Sequence, residues 1–323
     1  MNMRDHGGNL DAAIVEFGGA PTDWLDLSTG INPHPYRLPP LSASAWDTLP
    51  TKTAQRALVE AAQTAFKTNW DCLPVAGAQA GIQMLPRLLA RGAAKVLWPT
   101  YNEHAASLKA AGWSVENVHR FDDLAGADLA VVVNPNNPTG EIFAPADLLK
   151  LSNSVGYLII DESFCDPHPD ASILQLSQKS NVIVLRSFGK FFGLAGLRLG
   201  FVLGASDLIA TLREFSGPWP VSGPAIEIGC KALADTVWQA ETSDRLATDA
   251  ARMDDLAVSG GWTVLGGTTL FRLYDVGSAL ETQRALATHH IWSRVFPYSD
   301  AWIRLGLPHG RSRWTQLETT LAR

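Results

Sequence analysis

Short apolar runs alternate with amphipathic segments along the middle of the chain. The runs that are apolar throughout lie at residues 73–76, 95–98, 129–133 and 157–160. The segments with helical spacing of apolar residues lie near 51–66, 78–90 and 105–111, and from 145 onward. Strands that are apolar on both faces and are separated by helices are typical of a mostly parallel sheet covered by helices on both sides. The pattern therefore predicts an α/β fold.

The two ends of the chain have different patterns. After Gly223 a long helical stretch runs to Val258, and we predict a break in it near Asp244. Beyond it we predict strands at 268–273, 291–296 and 302–305 and helices at 279–289 and 311–321. Residues 1–40 are rich in glycine and proline and are predicted to be irregular. We therefore expect an N-terminal arm (1–40), a large domain (41–222) and a small α+β C-terminal domain (223–323).

The composition is that of a globular protein, with 46% hydrophobic and 18% charged residues. A net charge of -6 gives no electrostatic reason to expect a nucleic-acid partner. The three cysteines are scattered, which predicts no metal site and a reducing, cytoplasmic location. No run reaches the roughly 20 apolar residues that cross a bilayer, so we expect no membrane association.

One lysine stands in a glycine-rich stretch between two apolar runs, 181–185 and 199–203. Ser187 precedes Lys190 by three residues, and Arg198 follows it by eight. An amine held in a partly dry pocket can form a Schiff base with an aldehyde. The hydroxyl and the guanidinium could bind a phosphate close by. The alternative is a glycine-rich turn whose lysine points into water.

Other polar residues follow the predicted strands, and ligands of parallel sheets gather at the carboxyl ends of the strands. They include a possible phosphate-binding helix start at Ala78 and Gln79, an amide at Asn137 and a carboxylate at Asp161. Together with Lys190 they meet the needs of pyridoxal 5'-phosphate, whose ring nitrogen pairs with a carboxylate. Tyr101 could stack on the ring, or it could be an ordinary core or surface tyrosine.

The ordered motifs resemble those of the fold-type I pyridoxal-phosphate-dependent aminotransferases, in the class-II branch that contains histidinol-phosphate aminotransferase. The motifs are Asn137-Pro-Thr-Gly, Asp161-Glu-Ser-Phe164 and the stretch from Ser187 to Arg198. The N-terminal motifs His6-Gly-Gly-Asn9 and Ser28-Thr-Gly-Ile-Asn32-Pro33 resemble those of a family within this branch, the L-threonine O-3-phosphate decarboxylases of cobalamin biosynthesis. A family tyrosine is replaced by Phe164, which removes a hydroxyl donor to the cofactor ring.

The resemblance implies a catalytic role for Lys190, which holds the cofactor aldehyde, while Asp161 pairs with the ring nitrogen and Asn137 with the ring oxygen. The cofactor phosphate would be held by Ser187, Arg198 and the backbone amides of Ala78 and Gln79. For the small phosphorylated amino-acid substrate, the implied contacts are Arg304 for the carboxylate, Arg294 for the phosphate, and His6, Gly30 and Asn32 in the arm. The two arginines could instead lie at the rim, and the arm could be a simple surface segment.

The resemblance also implies a homodimer, and it leaves open whether the arm reaches the other subunit. Decarboxylation and transamination use the same lysine, aspartate and asparagine, so an aminotransferase such as histidinol-phosphate aminotransferase is the alternative enzyme. An alternative of another class is a catalytically silent scaffold in cobalamin assembly that keeps the fold.

Overall fold

The computed structural model describes residues 6–322, which form two compact units. The large unit consists of Pro35–Asn137 and Glu141–Gln239. The small unit consists of Pro138–Gly140, Ala240–Arg323 and Met1–His34 as far as these are described. This division falls after Gln239, and the domain boundaries at 40/41 and 222/223 stay sequence-based predictions.

Twelve helices and thirteen strands are assigned in the described part of the chain. The helices are α1 Leu10–Phe17, α2 Ser44–Asp47, α3 Lys52–Ala65, α4 Ala78–Leu88, α5 Glu103–Ala110, α6 Pro145–Ser152, α7 Phe188–Phe191, α8 Ser206–Ser216, α9 Gly223–Ala234, α10 Thr236–Ser259, α11 Ala279–Ala287 and α12 Gly310–Leu321. The strands are β1 Leu25–Asp26, β2 Asp71–Val75, β3 Ala93–Leu97, β4 Ser114–Val118, β5 Leu129–Val133, β6 Tyr157–Asp161, β7 Val182–Ser187, β8 Gly200–Gly204, β9 Thr263–Thr268, β10 Phe271–Asp275, β11 Ile291–Trp292, β12 Arg294–Phe296 and β13 Ser299–Leu305.

The large unit is built on a seven-stranded sheet in the order β2-β8-β7-β6-β5-β3-β4. β8 is antiparallel to both β2 and β7, and all other neighbours are parallel. Every residue of β5 and β8 is buried, as expected for strands covered on both faces. The predicted mostly parallel α/β sheet is therefore confirmed. The parallel strands β5, β6 and β7 bring their carboxyl ends to one edge of the sheet.

The small unit contains the four-stranded antiparallel sheet β12-β13-β10-β9 and the parallel pair β1–β11. The arm was predicted to be irregular, and there the prediction is wrong, because residues Leu10–Phe17 form a helix. Asn9 caps this helix through its side-chain oxygen, which accepts a hydrogen bond from the Ala12 N–H. The apolar side of α1 packs against Trp24 and Ala287. Tertiary packing therefore stabilises a short helix that the glycine and proline content of the arm did not predict.

The break in the long C-terminal helical stretch falls at Asp235, not near Asp244 as predicted. Asp235 has φ -85° and ψ 75°, outside the helical region, and ends α9. Its carboxylate then accepts a hydrogen bond from the backbone N–H of Trp238 at 3.0 Å. A capping aspartate both stops one helix and starts the next, so α10 runs unbroken past Asp244. In the described residues, no helix is long and apolar enough to cross a membrane.

Candidate active site

All nine residues predicted to bind the cofactor line one cavity of about 140 Å³ in the large unit. They are Ala78, Gln79, Tyr101, Asn137, Asp161, Phe164, Ser187, Lys190 and Arg198. The cavity lies where β5, β6 and β7 end, because Val133, Asp161 and Ser187 are the last residues of these strands and all line it. The structure therefore brings together residues that are far apart in the sequence.

Asp161 is the last residue of β6 and is almost completely buried, with 2% of its surface exposed. One carboxylate oxygen lies 2.8 Å from Nε2 of His104, and the other accepts hydrogen bonds from the Ser163 hydroxyl and backbone N–H. Burial acts to raise the pKa of Asp161, but the hydrogen bond and charge of His104 and the two bonds from Ser163 outweigh it. The pKa is therefore below its ordinary value. Asp161 is held as a carboxylate at neutral pH.

His104 and Ser163 are site residues that we did not identify from the sequence. Because an ionised carboxylate only accepts hydrogen bonds, Nε2 of His104 carries the hydrogen in this contact. The sequence did contain a signal for each residue. His104 follows Tyr101 by three residues at the start of α5, and Ser163 follows Asp161 by two. Serine hydroxyls often bond locally in this way.

Lys190 lies in the short helix α7, which begins directly after β7. Its ammonium nitrogen lies 5.5 Å from the ring centre of Phe164, and Phe188 stacks on Phe192 beside it with ring centres 4.3 Å apart. The lysine therefore stands in a partly apolar, aromatic setting, with the phenyl ring of Phe164 in the place of the family's phenol. Such a setting favours an amine that reacts as a nucleophile.

An anion-binding corner is formed by the start of α4 and by Arg198. Gly77 precedes α4 with φ +79°, and a Cβ there would come within 2.6 Å of Nη2 of Arg198. The glycine therefore lets the guanidinium approach the first turn of α4, where the Ala78 and Gln79 N–H groups begin the helix. Ser187 lines the same cavity. A guanidinium, a hydroxyl and a helix start together suit a phosphate.

Asn137 is placed by two other asparagines of its loop. Asn134 is fully buried, and its side chain donates to the carbonyls of Phe143 and Ala171 and accepts from the Phe143 N–H. Asn136 in turn bonds to Thr100 and to the carbonyl of Pro99. These bonds fix the irregular backbone, so that the next residue, Asn137, lines the cavity.

Tyr101 lines the cavity, and its hydroxyl donates to the side-chain oxygen of Gln79 at 3.2 Å. The side-chain nitrogen of Gln79 donates to Glu103 at 2.9 Å. From the sequence we predicted a role only for the backbone N–H of Gln79 and assigned no partner to its side chain. The structure directs it to Tyr101 and Glu103, which leaves its backbone N–H as the group available to a phosphate.

The two predicted substrate arginines are direct neighbours on the antiparallel strands β12 and β13 of the small unit, where Arg294 pairs with Arg304. Arg304 is buried, and its Nη2 donates to the carbonyl of Ser28 at 2.7 Å. Burial and the charge of Arg294 lower the pKa of Arg304 to about 10, so it remains charged at neutral pH. Like charges directly opposite on neighbouring strands destabilise a sheet, and a bound anion would relieve this repulsion.

The three predicted arm residues lie in the small unit in different settings. His6 is exposed, Gly30 is buried, and Asn32 is 2% exposed. The side-chain oxygen of Asn32 accepts from the His34 N–H at 2.9 Å, which shapes the local turn. The Ser28 hydroxyl accepts from the Gly8 N–H at 2.7 Å and so joins the two arm motifs. Their contact with substrate stays a prediction.

This chain belongs to the family of class I and II aminotransferases, whose model matches residues 46–314. It is similar to two curated proteins named threonine-phosphate decarboxylase. The one from Sinorhizobium sp is 43% identical, over 98% of this chain and 97% of the relative. The one from Pseudomonas aeruginosa is 41% identical, over 99% and 97%. A solved histidinol-phosphate aminotransferase from Sinorhizobium meliloti, in complex with pyridoxal-5'-phosphate, has a TM-score of 0.78 at 20% identity, and the alignment covers 99% of this chain and 95% of that one.

The family depends on pyridoxal phosphate, and the cavity fits this cofactor. Its ring nitrogen is matched by the buried, ionised carboxylate of Asp161. Its aldehyde is matched by the Lys190 amine, which lies 5.5 Å from the ring centre of Phe164. Its phosphate is matched by Arg198 at the start of α4, where Gly77 leaves room for the guanidinium. Within residues 6–322 no group of three or more His, Cys, Asp or Glu side chains could hold a metal ion.

Proposed function

We propose that this protein is a pyridoxal-phosphate-dependent decarboxylase that converts L-threonine O-3-phosphate to (R)-1-amino-2-propanol O-phosphate and CO2 in cobalamin biosynthesis. The observation that carries the proposal is the single cavity lined by Lys190, Asp161 and Asn137 in a chain of this family. The relatives at 41% and 43% identity, which match nearly the full chain, supply the substrate and the reaction type.

Seven of the nine predicted cofactor-binding residues hold the cofactor in this proposal. Lys190 provides the amine for the cofactor aldehyde, and Asn137 donates to the ring oxygen. Asp161 accepts a hydrogen bond from the ring nitrogen and, because its own pKa is low, leaves the proton on that nitrogen. Ser187, Arg198 and the N–H groups of Ala78 and Gln79 hold the phosphate. When bound, pyridoxal phosphate supplies a conjugated ring that accepts the electron pair released at the substrate α-carbon.

The two arginines of the small unit are proposed to bind the anionic ends of the substrate. Arg304 binds the carboxylate before it leaves, and Arg294 binds the phosphate. Lys190 would leave the cofactor aldehyde when the substrate amine takes its place. As the carboxylate departs as CO2 and leaves its bonding electron pair to the cofactor ring, the freed Lys190 amine or water would return a proton to the α-carbon. The bond that breaks is the one held perpendicular to the ring, so in this proposal the choice between decarboxylation and proton removal depends on how these arginines bind the carboxylate and the phosphate.

A lysine-to-alanine pair tests the assignment of Lys190. Lys190→Ala should lose the visible absorbance of protein-bound cofactor and all turnover, whereas the exposed Lys179→Ala should keep both. Retained turnover in Lys190→Ala would contradict the assignment. Transamination by the wild-type protein would favour the alternative enzyme, and absence of cofactor absorbance in the wild type would favour the silent scaffold.

The protein is also proposed to be a homodimer of the cytoplasm. Exposed apolar side chains of the large unit support the dimer, since Trp46 is 72% and Trp219 51% exposed. Ala45 lies directly against Gly223, the first residue of α9. Trp46 follows Ala45 in the chain and Trp219 lies four residues before α9, so both exposed tryptophans belong to segments that meet at the start of this helix. All three cysteines are free thiols, which supports a reducing compartment. Light scattering should give a dimer mass, and Trp46→Glu should lower it; a wild-type monomer would contradict the dimer.

A further inference from the structure

A buried carboxylate that the proposed reaction does not use lies beside the cavity. Glu103 is the first residue of α5 and is 4% exposed. Its Oε2 accepts hydrogen bonds from the side-chain nitrogens of Gln79 at 2.9 Å and Gln83 at 3.4 Å. Burying a carboxylate costs free energy unless hydrogen bonds compensate it. Two amide donors, both from α4, provide such compensation for Oε2.

The carboxylate fixes which way the Gln79 amide points. The NH2 end of Gln79 faces Glu103 and donates to its Oε2, because an amide nitrogen can only donate. The oxygen of the same amide then faces Tyr101, 3.2 Å away, and the Tyr101 hydroxyl must donate to it. The three side chains form a chain of bonds with one direction, from the Tyr101 hydroxyl through Gln79 to Glu103.

We propose that Glu103 is a positioning residue which, acting through Gln79, fixes the aromatic ring of Tyr101 for stacking on the cofactor ring. The proposal rests on the proposed function, because it assumes that the cavity binds pyridoxal phosphate. Gln79 is suited to the task, since its backbone begins the helix at the phosphate corner while its side chain holds Tyr101. Gln79 therefore contributes to the contact with the cofactor ring through Tyr101 and to the contact with the phosphate through its own backbone N–H.

Glu103→Gln tests the direction of this chain of bonds at almost constant volume. The new amide can donate, so Gln79 can turn its oxygen toward residue 103 and its NH2 toward Tyr101. The Tyr101 hydroxyl would then lose the amide oxygen to which it now donates. Losing one well-directed hydrogen bond corresponds to about a five- to tenfold loss in cofactor affinity.

The experiment is a double-mutant cycle of Glu103→Gln with Tyr101→Phe, measured as the cofactor dissociation constant and the circular dichroism of the bound cofactor. Gln79→Leu is the second variant, because it breaks the chain of bonds and keeps the carboxylate. Gln83→Ala is the matched control, since Gln83 donates to Glu103 and is not a member of the Tyr101–Gln79–Glu103 chain of bonds. Thermal unfolding of each cofactor-free variant checks that it is folded.

The expected result is that Glu103→Gln and Gln79→Leu weaken cofactor binding and change its dichroism in the Tyr101 background, with little effect in the Tyr101→Phe background. Gln83→Ala should bind cofactor nearly as the wild type does. Equal losses in both backgrounds would show that Glu103 only supports α5, and would overturn the inference while the proposed function stands. A wild-type protein that does not bind the cofactor would overturn both.

Discussion

Replacing His104 with leucine should raise the pKa of Asp161 and move the acid limit of cofactor binding to higher pH. His104 donates one hydrogen bond, at 2.8 Å, to a carboxylate that is 2% exposed. A hydrogen bond to a charged group contributes about 1.5–3 kcal/mol, which corresponds to about one to two pKa units. The bonds from Ser163 remain in the variant. His104→Gln is the control, because its amide can still donate to the carboxylate.

The assay is cofactor affinity as a function of pH, followed by visible absorbance. In the wild type the pKa of Asp161 lies below its ordinary value, so the carboxylate stays ionised at pH values where an ordinary aspartate begins to bind a proton. In His104→Leu the acid midpoint should rise by about one to two units, and in His104→Gln by less. An equal loss of affinity at every pH, with no change in the midpoint, would refute the reasoning and reduce His104 to a packing residue.

The cofactor-free protein provides a second readout of the same pKa. Because folding lowers the pKa of Asp161, the resulting stability is fully present above the unfolded value of about 3.9 and is lost as the pH falls through the folded value. Removing His104 weakens this contribution. The difference in unfolding free energy between wild type and His104→Leu should therefore be largest near neutral pH and shrink in acid. A difference that grows in acid would contradict the assigned direction.

Three further predictions concern other parts of the two units. Arg294→Gln should relieve the charge repulsion on Arg304, so the melting temperature of the ligand-free protein should rise. The same change should increase KM for the phosphorylated substrate, because a phosphate-binding cation is lost. A lower melting temperature with an unchanged KM would contradict this. Gly77→Ala should cost about 1–3 kcal/mol, because φ +79° with ψ 157° is a conformation that essentially only glycine adopts. The new Cβ should also displace Arg198, so affinity for pyridoxal phosphate should fall, whereas the binding of pyridoxal, which has no phosphate, should stay unchanged. Arg186→Met leaves the buried carboxylates of Glu162 and Asp166 without their cation. The unfolding free energy measured by urea titration should therefore fall by about 3–5 kcal/mol. A loss under about 1 kcal/mol would contradict this and would show that the two carboxylates bind protons at little cost.

The strand ends of the large unit could be predicted from the sequence because parallel strands read as continuous apolar runs. The observed strands end at Val133, Asp161 and Ser187, within two residues of the ends of the predicted apolar runs. The physical rule that ligands gather at such ends was enough to select the polar residues there. The helix α1 and the break at Asp235 were missed for a different reason. Both depend on side-chain caps and distant packing, which short-range periodicity does not contain.

The contacts that tune the cavity were the least predictable part of the site. His104 reaches Asp161 across 57 residues of sequence, and Gln79 reaches Glu103 across 24. Nothing in their local sequence says which partner each side chain will meet, because only the packing of α4 and α5 on the sheet brings them together. The backbone N–H of Gln79 could be predicted from its helix start, whereas the direction of its side chain could not.

The measurement that tests the central claim most directly is product analysis with L-threonine O-3-phosphate, using the cofactor-loaded protein and no keto acid. The account predicts one CO2 released for each substrate consumed, with aminopropanol phosphate as the amine product and no activity in Lys190→Ala. The contradicting result is no CO2 from the wild type together with amino transfer from glutamate to imidazole-acetol phosphate. That outcome would assign the same cavity to an aminotransferase.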